Sequence, residues 1–345
     1  DRNKGSGVFS GDDAFDLVTT NGFPKEIIEE LAGAEGLQVD QARFAERWAE
    51  FQKISQGGKT VEVFSSTALQ EAKPRLGDTP FTGYTATEAM ATITLLEVDG
   101  KAVESAPAGS RVRLALDQTP FYAESGGQVG DTGRLRGMAA FGDGFEIRIT
   151  DTVKDGGLIV HEGEVSSGTA KPGMVKAEVD DERRRAITRH HSATHLLHSA
   201  LVKILGDHVE QQGSKVSPDD LRFDFNHPKA LTGEQIAAIE AWVNEQITQH
   251  HGVDIRQMAI AEARSLGAKA QFGEKYGDRV RVVTMGDGSV SREFCGGCHV
   301  GNTGDIGSFR ILREEASSAG IRRITAVAGS AAQALADEQE AVGRA

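Results

Sequence analysis

Cysteine is nearly absent: the 345 residues contain two, Cys295 and Cys298, separated by two glycines. So sparse a count excludes a secreted scaffold stapled by disulfides and favours a reducing compartment. It also makes metal ligation the natural question for so close a pair. Long hydrophobic runs are missing too. No stretch approaches the roughly 18–20 uncharged residues of a membrane span, and with 39% apolar residues the chain is expected to be packed and soluble. There is no charged-then-apolar leader and no initiator Met before Asp1, and the Ala/Glu-rich end lacks a helix cap, so the chain is expected to be a piece of something longer. Positive charge is in deficit: 38 Lys+Arg against 51 Asp+Glu gives −13 (38 − 51, His neutral). That argues against wholesale wrapping by nucleic acid but allows a local basic patch that grips one end of an RNA.

The length favours two or three domains, and the patterning predicts an α+β chain in successive parts. Residues 1–10 are rich in Gly, Ser and Lys and are expected to be loose. Residues 12–55 read as short helices broken at Asn21-Gly22-Phe23-Pro24 and Gly36-Leu37. Phe44, Trp48, Phe51 and Ile54 fall at helical spacing and are expected to be core contacts. A linker follows at Ser55-Gln56-Gly57-Gly58. From about 60 to 172 short alternating runs such as Ala91–Leu96, Arg111–Leu116 and Phe145–Ile149, punctuated by glycine turns, predict a small antiparallel barrel. Asp180-Asp181-Glu182 opens a long helix whose apolar period runs through Ile187, Leu196, Leu197, Leu201 and Ile204 to Gly206. Strands are expected at Leu221–Phe225, Val253–Ile255, Arg279–Met285, Gly307–Leu312 and Ile321–Ala328. A second helix opens on the capping-box pattern Thr232-Gly233-Glu234-Gln235, so two helices can cover one face of an antiparallel sheet. Residues 331–345 read as the first turns of another helix.

The chemistry concentrates on two short stretches. His191 and His195 stand four residues apart on the long helix, which puts both imidazoles on one face about a turn apart; His198 lies on that face too. About a hundred residues later, Cys295-Gly296-Gly297-Cys298-His299 supplies a thiolate and an imidazole from a turn that glycine lets fold tightly around an ion. Two helix histidines with one cysteine and one histidine from the turn make a nitrogen-rich tetrahedral set suited to zinc. Spacing leaves the fourth ligand open, since His198 or Cys298 can replace His299.

Longer motifs surround these residues. Arg189–His198, Cys295–Gly307, Phe121–Asp131 with its Gly126-Gly127-Gln128, and the strand Leu221–Phe225 occur in one order along the chain. The two histidine- and cysteine-bearing motifs resemble the paired zinc motifs of the alanyl-tRNA synthetase editing domain, and Phe121–Asp131 resembles that family's barrel signature. Residues 22–44, with Gly22-Phe23-Pro24 and Gly36–Asp40, resemble the end of the helical tRNA-recognition domain that precedes editing. The resemblance implies that 1–55 end the tRNA-recognition domain, 56–172 form the barrel subdomain, 173–330 form the zinc-binding editing core, and 331–345 lead towards a carboxy-terminal domain. It also implies that the ATP-dependent domain that activates alanine is not in this chain, so ATP and alanine are partners only through that missing part and aminoacylation is not expected.

The activity implied is hydrolysis of the ester joining a wrong amino acid, Ser or Gly, to the 3′ end of alanine tRNA, in the cytoplasm and without a membrane. The resemblance assigns zinc to His191, His195, Cys295 and His299, lines the pocket with Gln211 and Ser214, sets Thr194 before the second ligand, and counts these three with Cys295, the ligand that water could displace, as the catalytic residues. A hydroxyl is expected to contact the serine side chain and Gln211 to orient the ester or the water. Cys298 stands where Thr is usual in the family, which bears on the ligand set. Gly126-Gly127-Gln128 is also the tripeptide that release factors use on a peptidyl ester, but here its glycines are expected to serve a turn, and Glu124 to be an exposed loop acid. Arg183, Arg184, Arg185, Lys269, Lys275, Arg279, Arg310, Arg322 and Arg323 are candidates to meet the acceptor stem, most of them being expected in surface ion pairs. The alternative is a tRNA-binding module with structural zinc and no hydrolysis.

Overall fold

A computed structural model describes residues 8–19, 28, 31–33, 36–55, 67–137, 144–270 and 276–343. The break expected at residues 21–24, most of the expected linker at 55–58, the loose residues 1–7 and Lys275 lie outside the described residues. The chain divides into two compact units, one of residues 1–65 with 316–320 and one of residues 66–315 with 321–345.

In the first unit, strand β1 (Val8–Phe9) pairs in parallel with β2 (Gln38–Val39), and helix α1 (Gly11–Thr19) packs on α2 (Gln41–Ser55). The helical spacing of the aromatics has the expected outcome where it is described. Phe44 stacks on Trp48 with ring centroids 5.8 Å apart, and Phe15 meets both edge-on. The side chains of Phe51 and Ile54 lie outside the described residues.

In the second unit, α3 (Thr67–Leu76) leads into the barrel. Its strands are β3 (Glu88–Val98), with the short β4 (Lys101–Ala102) on its end, then β6 (Arg111–Leu116), β7 (Gly133–Gly137), β8 (Glu146–Asp155), β9 (Leu158–Ser167) and β11 (Gly173–Val179). A separate short pair, β5 (Ala106–Pro107) and β10 (Thr169–Ala170), caps it. The order β11-β7-β8-β9-β6-β3 closes because β11 pairs antiparallel with β3 as well as with β7. The barrel therefore runs to residue 179, one strand beyond the expected end at 172. Closure leaves no strand edge unpaired, and every second residue of the strands points inwards: Ile93, Val112, Leu114, Leu135, Ile147, Ile149, Val165 and Val175 fill the interior.

Helix α4 (Asp181–Leu205) starts where Asp180 accepts from the Arg183 N–H and stops at Gly206, whose φ of 115° ends the right-handed turn. Its whole circumference between His190 and His198 is buried. Helix α5 (Gly233–Thr248) packs beside it and opens on the expected capping box, with Thr232 and Gln235 bonding each other's backbone N–H. The expected strands form two sheets instead of one. The first has the order β12 (Gln211–Val216), β13 (Leu221–Asn226), β18 (Ile321–Ala328), β17 (Phe309–Ser318). The second is antiparallel, β14 (Val253–Ala259), β15 (Arg279–Met285), β16 (Ser291–Phe294), with α6 (Ile260–Ser265) between β14 and β15. Leu197, Leu201, Phe223, Phe225, Ile239, Val243 and Ile324 fill the core between the two helices and the larger sheet. A final helix, α7 (Ser330–Gly343), occupies the expected place.

Candidate metal centre

The four-residue spacing on α4 stacks His191 above His195, with ring centroids 5.5 Å apart. The segment after β16 brings Cys295 and His299 against them. Cys295 Sγ lies 3.4 Å from His191 Nε2 and 3.2 Å from His299 Nε2, and one donor atom from each of the four residues falls within 4.8 Å of every other. The close approach depends on Gly297, because a Cβ there would run into the His191 ring and lie 2.8 Å from Gln128 Oε1; at Gly296 a Cβ would meet nothing.

His191 and His299 are turned by a hydrogen bond on the far nitrogen, and His195 faces a carboxylate. His191 Nδ1 is 2.8 Å from Gln128 Oε1, His299 Nδ1 is 3.1 Å from Ser192 Oγ, and His195 Nδ1 faces Glu293 Oε2 at 3.9 Å. With Nδ1 occupied, Nε2 of His191 and His299 points into the cluster, the arrangement that fixes tautomer and direction for a metal ligand. The loop is held from outside as well: Arg281 Nη1 donates to the carbonyls of Cys295 (2.8 Å) and Gly297 (2.7 Å), and the Tyr84 hydroxyl donates to the Gly296 carbonyl at 2.6 Å.

Burial sets the charge state. It drives His191 down to about 3, with help from His195, and holds His195 and His299 below the usual imidazole range. It pushes the Cys295 thiol up to about 12. Burial also works to raise Glu293, but His195 and His198 beside it overcome that and hold the carboxyl at about 2. Without an ion the set is three neutral imidazoles and a thiol; a cation entering it would displace the thiol proton. Three nitrogens and one sulfur converging from buried, directed side chains fit a borderline-soft divalent cation.

Neither alternative ligand is among the four converging donors. His198 Nδ1 bonds Glu293 Oε1 at 3.1 Å, and the Cys298 N–H donates to Gln128 Oε1 at 2.9 Å. Thr194 is buried on α4 and its hydroxyl donates to the His190 carbonyl at 2.8 Å. Gln211 and Ser214 lie on β12, where Gln211 Nε2 donates to Ser214 Oγ at 3.1 Å. The glycine-glycine-glutamine turn joins the two groups. Val216 N–H donates to the Gly127 carbonyl (2.7 Å) and Val129 N–H to the Val216 carbonyl (3.1 Å), so the turn runs alongside β12. A Cβ at Gly127, which has φ +81°, would lie 2.6 Å from Ser214 Oγ.

Sequence reasoning missed Gln128. Its tripeptide signals a turn, but the fully buried amide reaches across 63 positions to His191, and no local pattern encodes that distance. Glu293 and the Tyr84–Arg281 support gave no motif at all. Glu124 is exposed, as expected. Of the basic candidates, Arg184 is buried on Asp131, while Arg185, Arg310, Arg322 and Arg323 pair with Asp181, Glu240, Glu314 and Asp224.

With this geometry in view, comparison with known sequences defines a class first. The family model for class II tRNA synthetases (A) matches residues 1–183, more than half of the 345, and the model for the threonyl and alanyl tRNA synthetase second additional domain matches residues 280–325, which include Cys295 and His299. The chain belongs to the class II tRNA synthetases of this alanine-type family. Its relatives include the alanine–tRNA ligase of Microcystis aeruginosa, 45% identical over 97% of this chain, and that of Gluconobacter oxydans, 47% identical over 96%. The alanine–tRNA ligase of Acetivibrio thermocellus is 44% identical over 98%. In each case the chain spans 38% of the relative's length.

Proposed function

We propose that the chain is the editing part of an alanine–tRNA ligase and hydrolyses the ester of Ser-tRNA and Gly-tRNA carrying the alanine acceptor stem. The observation that carries this reading is the single support of metal ligands and polar pocket residues: Gln128 holds His191, and the same turn packs on the strand that bears Gln211 and Ser214. The match to the second additional domain supports it. The need is physical, since a pocket for alanine discriminates against one methyl or one hydroxyl by only about 1–3 kcal/mol, and a second sieve makes up the difference.

His191, His195, Cys295 and His299 would hold zinc, which supplies Lewis acidity and a fixed anchor for the reacting end. Thr194, Gln211 and Ser214 recognise the substrate. The Thr194 hydroxyl gives its proton to the His190 carbonyl and so presents lone pairs, which suit it to accept from a serine hydroxyl and not from an alanine methyl. Gln211, anchored on Ser214, orients the ester or the attacking water through its remaining amide atoms. Ligation of alanine with ATP would belong to the rest of the relatives' length. A thiol ligand beside a second free thiol suits a reducing compartment, and we place the protein in the cytoplasm. Among the described residues no helix is long and apolar enough to cross a membrane.

The test incubates the chain, as isolated and after chelation, with Ser-tRNA and Ala-tRNA of the alanine acceptor type while ester loss and metal content are followed. Selective loss of the serine ester that disappears with zinc is expected. Saturable tRNA binding by a zinc-replete sample with both esters intact would replace hydrolysis by recognition alone.

A further inference from the structure

Beside the metal cluster lies a cavity of about 350 Å³, within the range of small-ligand sites, with His299 and Cys298 on its inner wall. Its outer wall is unusual for this protein. Tyr84 and Ile255 line it while remaining 47% and 37% exposed, so apolar surface faces the opening. Arg281 lies flat on Tyr84, its guanidinium carbon 4.0 Å from the ring centroid, and is pinned there by the Cys295 and Gly297 carbonyls. Among the described residues Arg281 has no ion pair. In a chain with 51 acidic residues, none lines this cavity, whereas Arg184, Arg281 and the Thr188 hydroxyl do. Apolar and planar-cation surface, hydroxyls and no carboxylate suit an aromatic base on a sugar whose neighbour is a phosphate.

A second cavity, of about 820 Å³, continues on the far side of Thr188, which lines both. There Arg185 and Arg189, one helical turn apart, line it from α4. Among the described residues Arg185 pairs with exposed Asp181 of its own helix and Arg189 donates to the Asp305 carbonyl, each using part of its five N–H donors; the exposed Asp305 also lines this cavity.

We propose that the first cavity receives the 3′-terminal nucleoside of the RNA substrate, its base against the Tyr84–Arg281 face and Ile255, and that the preceding phosphates pass over Thr188 towards Arg185 and Arg189. The direction follows from the layout: the inner wall carries His299 of the metal cluster, beside which a terminal ester would lie, and the second cavity presents Arg185 and Arg189 against one lining carboxylate, Asp305. This assignment rests on the reading of the chain as an RNA-ester hydrolase.

The experiment uses an acceptor-stem RNA hairpin whose last base is 2-aminopurine. Binding to the zinc-loaded chain quenches that base, and removing the last nucleotide weakens binding about tenfold, the scale of one stacked base. Thr188→Glu and Ile255→Glu each put a carboxylate into the cavity without touching the cluster; both lose the quenching and about tenfold in affinity at unchanged zinc content. Leu312→Glu, exposed on β17, behaves as wild type. Quenching absent in wild type, or both cavity variants within twofold of it, overturns the assignment. The same variants are assayed for deacylation of the serine ester. Hydrolysis with unchanged KM in Thr188→Glu and Ile255→Glu sinks the cavity and leaves the hydrolase. Quenching that responds to both variants without any hydrolysis keeps the cavity and sinks the hydrolase.

Discussion

Replacing Gln128 by Ala separates a support for the metal centre from a contact with substrate. Gln128 Oε1 accepts from His191 Nδ1–H at 2.8 Å and from the Cys298 N–H at 2.9 Å, and all three residues are buried. The alanine variant removes one acceptor and strands two donors, each costing about 1–3 kcal/mol when left without a partner. The His191 ring also loses the bond that keeps Nε2 aimed at Cys295 and His299. Loss of such an outer partner costs about 10–100-fold in metal affinity, or about 1.4–2.7 kcal/mol. Zinc affinity of the apo protein, read by competition with a chromophoric chelator, is therefore expected to fall by that factor, with far-UV circular dichroism unchanged. Gln128→Glu keeps an acceptor at the same place and is expected to recover most of the loss. An alanine variant that binds zinc within twofold of wild type would falsify the positioning role and leave Gln128 to the substrate.

Other expectations concern separate parts of the fold. Gln211→Ala, which touches β12 and not the ligands, should lower deacylation of the serine ester at least tenfold with zinc affinity within twofold of wild type; wild-type-like deacylation removes the role assigned to Gln211. Arg184 binds Asp131 through Nε and Nη2 and donates to the Gly83 and Pro120 carbonyls, so Arg184→Met strands a buried carboxylate and should cost about 3–5 kcal/mol in urea unfolding, partly restored by Asp131→Asn. A loss below about 1 kcal/mol would contradict this account of the pair. His161, fully buried in the barrel and 2.8 Å from Thr119 Oγ1, is held by burial at about 4 against an ordinary 6.5. The unfolded state then binds the extra proton first, so stability is full above about pH 6.5 and falls by about 3 kcal/mol as pH drops to 4; His161→Gln should remove about one proton from that slope in pH-dependent unfolding.

Much of the fold was legible because its signals are local. The caps of α4, Asp180 and Gly206, and the capping box of α5 each need only a few consecutive residues. The barrel strands alternate with period two, and so does Met174–Val179, which pairing with β3 and β7 adds to the barrel beyond residue 172. Two further features depended on pairing and could not be read. β14 alternates weakly because it is exposed along most of its length, so nothing in its sequence assigns it to the smaller sheet. β12, with Gln211, Gln212, Gly213, Ser214 and Lys215, has almost no strand propensity. It is extended because β13 bonds one edge and the Gly127 turn bonds the other.

The same contrast explains the site. His191 and His195 announce themselves by one helical turn, and Cys295 with His299 by a glycine turn, so the cluster is visible as two local patterns that tertiary structure has only to bring together. Its alignment is not local. Gln128, Ser192 and Arg281 come from a barrel loop, α4 and the smaller sheet and hydrogen-bond a ligand or the ligand loop, while Glu293 of the smaller sheet faces His195. The shared turn has a consequence for evolution of the pocket: Gly127 lets β12 approach and Gln128 fixes His191, so a shift of the turn that reshaped the neighbourhood of Ser214 would also rotate a metal ligand. Selectivity and metal geometry are therefore expected to change together when residues 126–128 change, and separately when Thr194 or Gln211 changes.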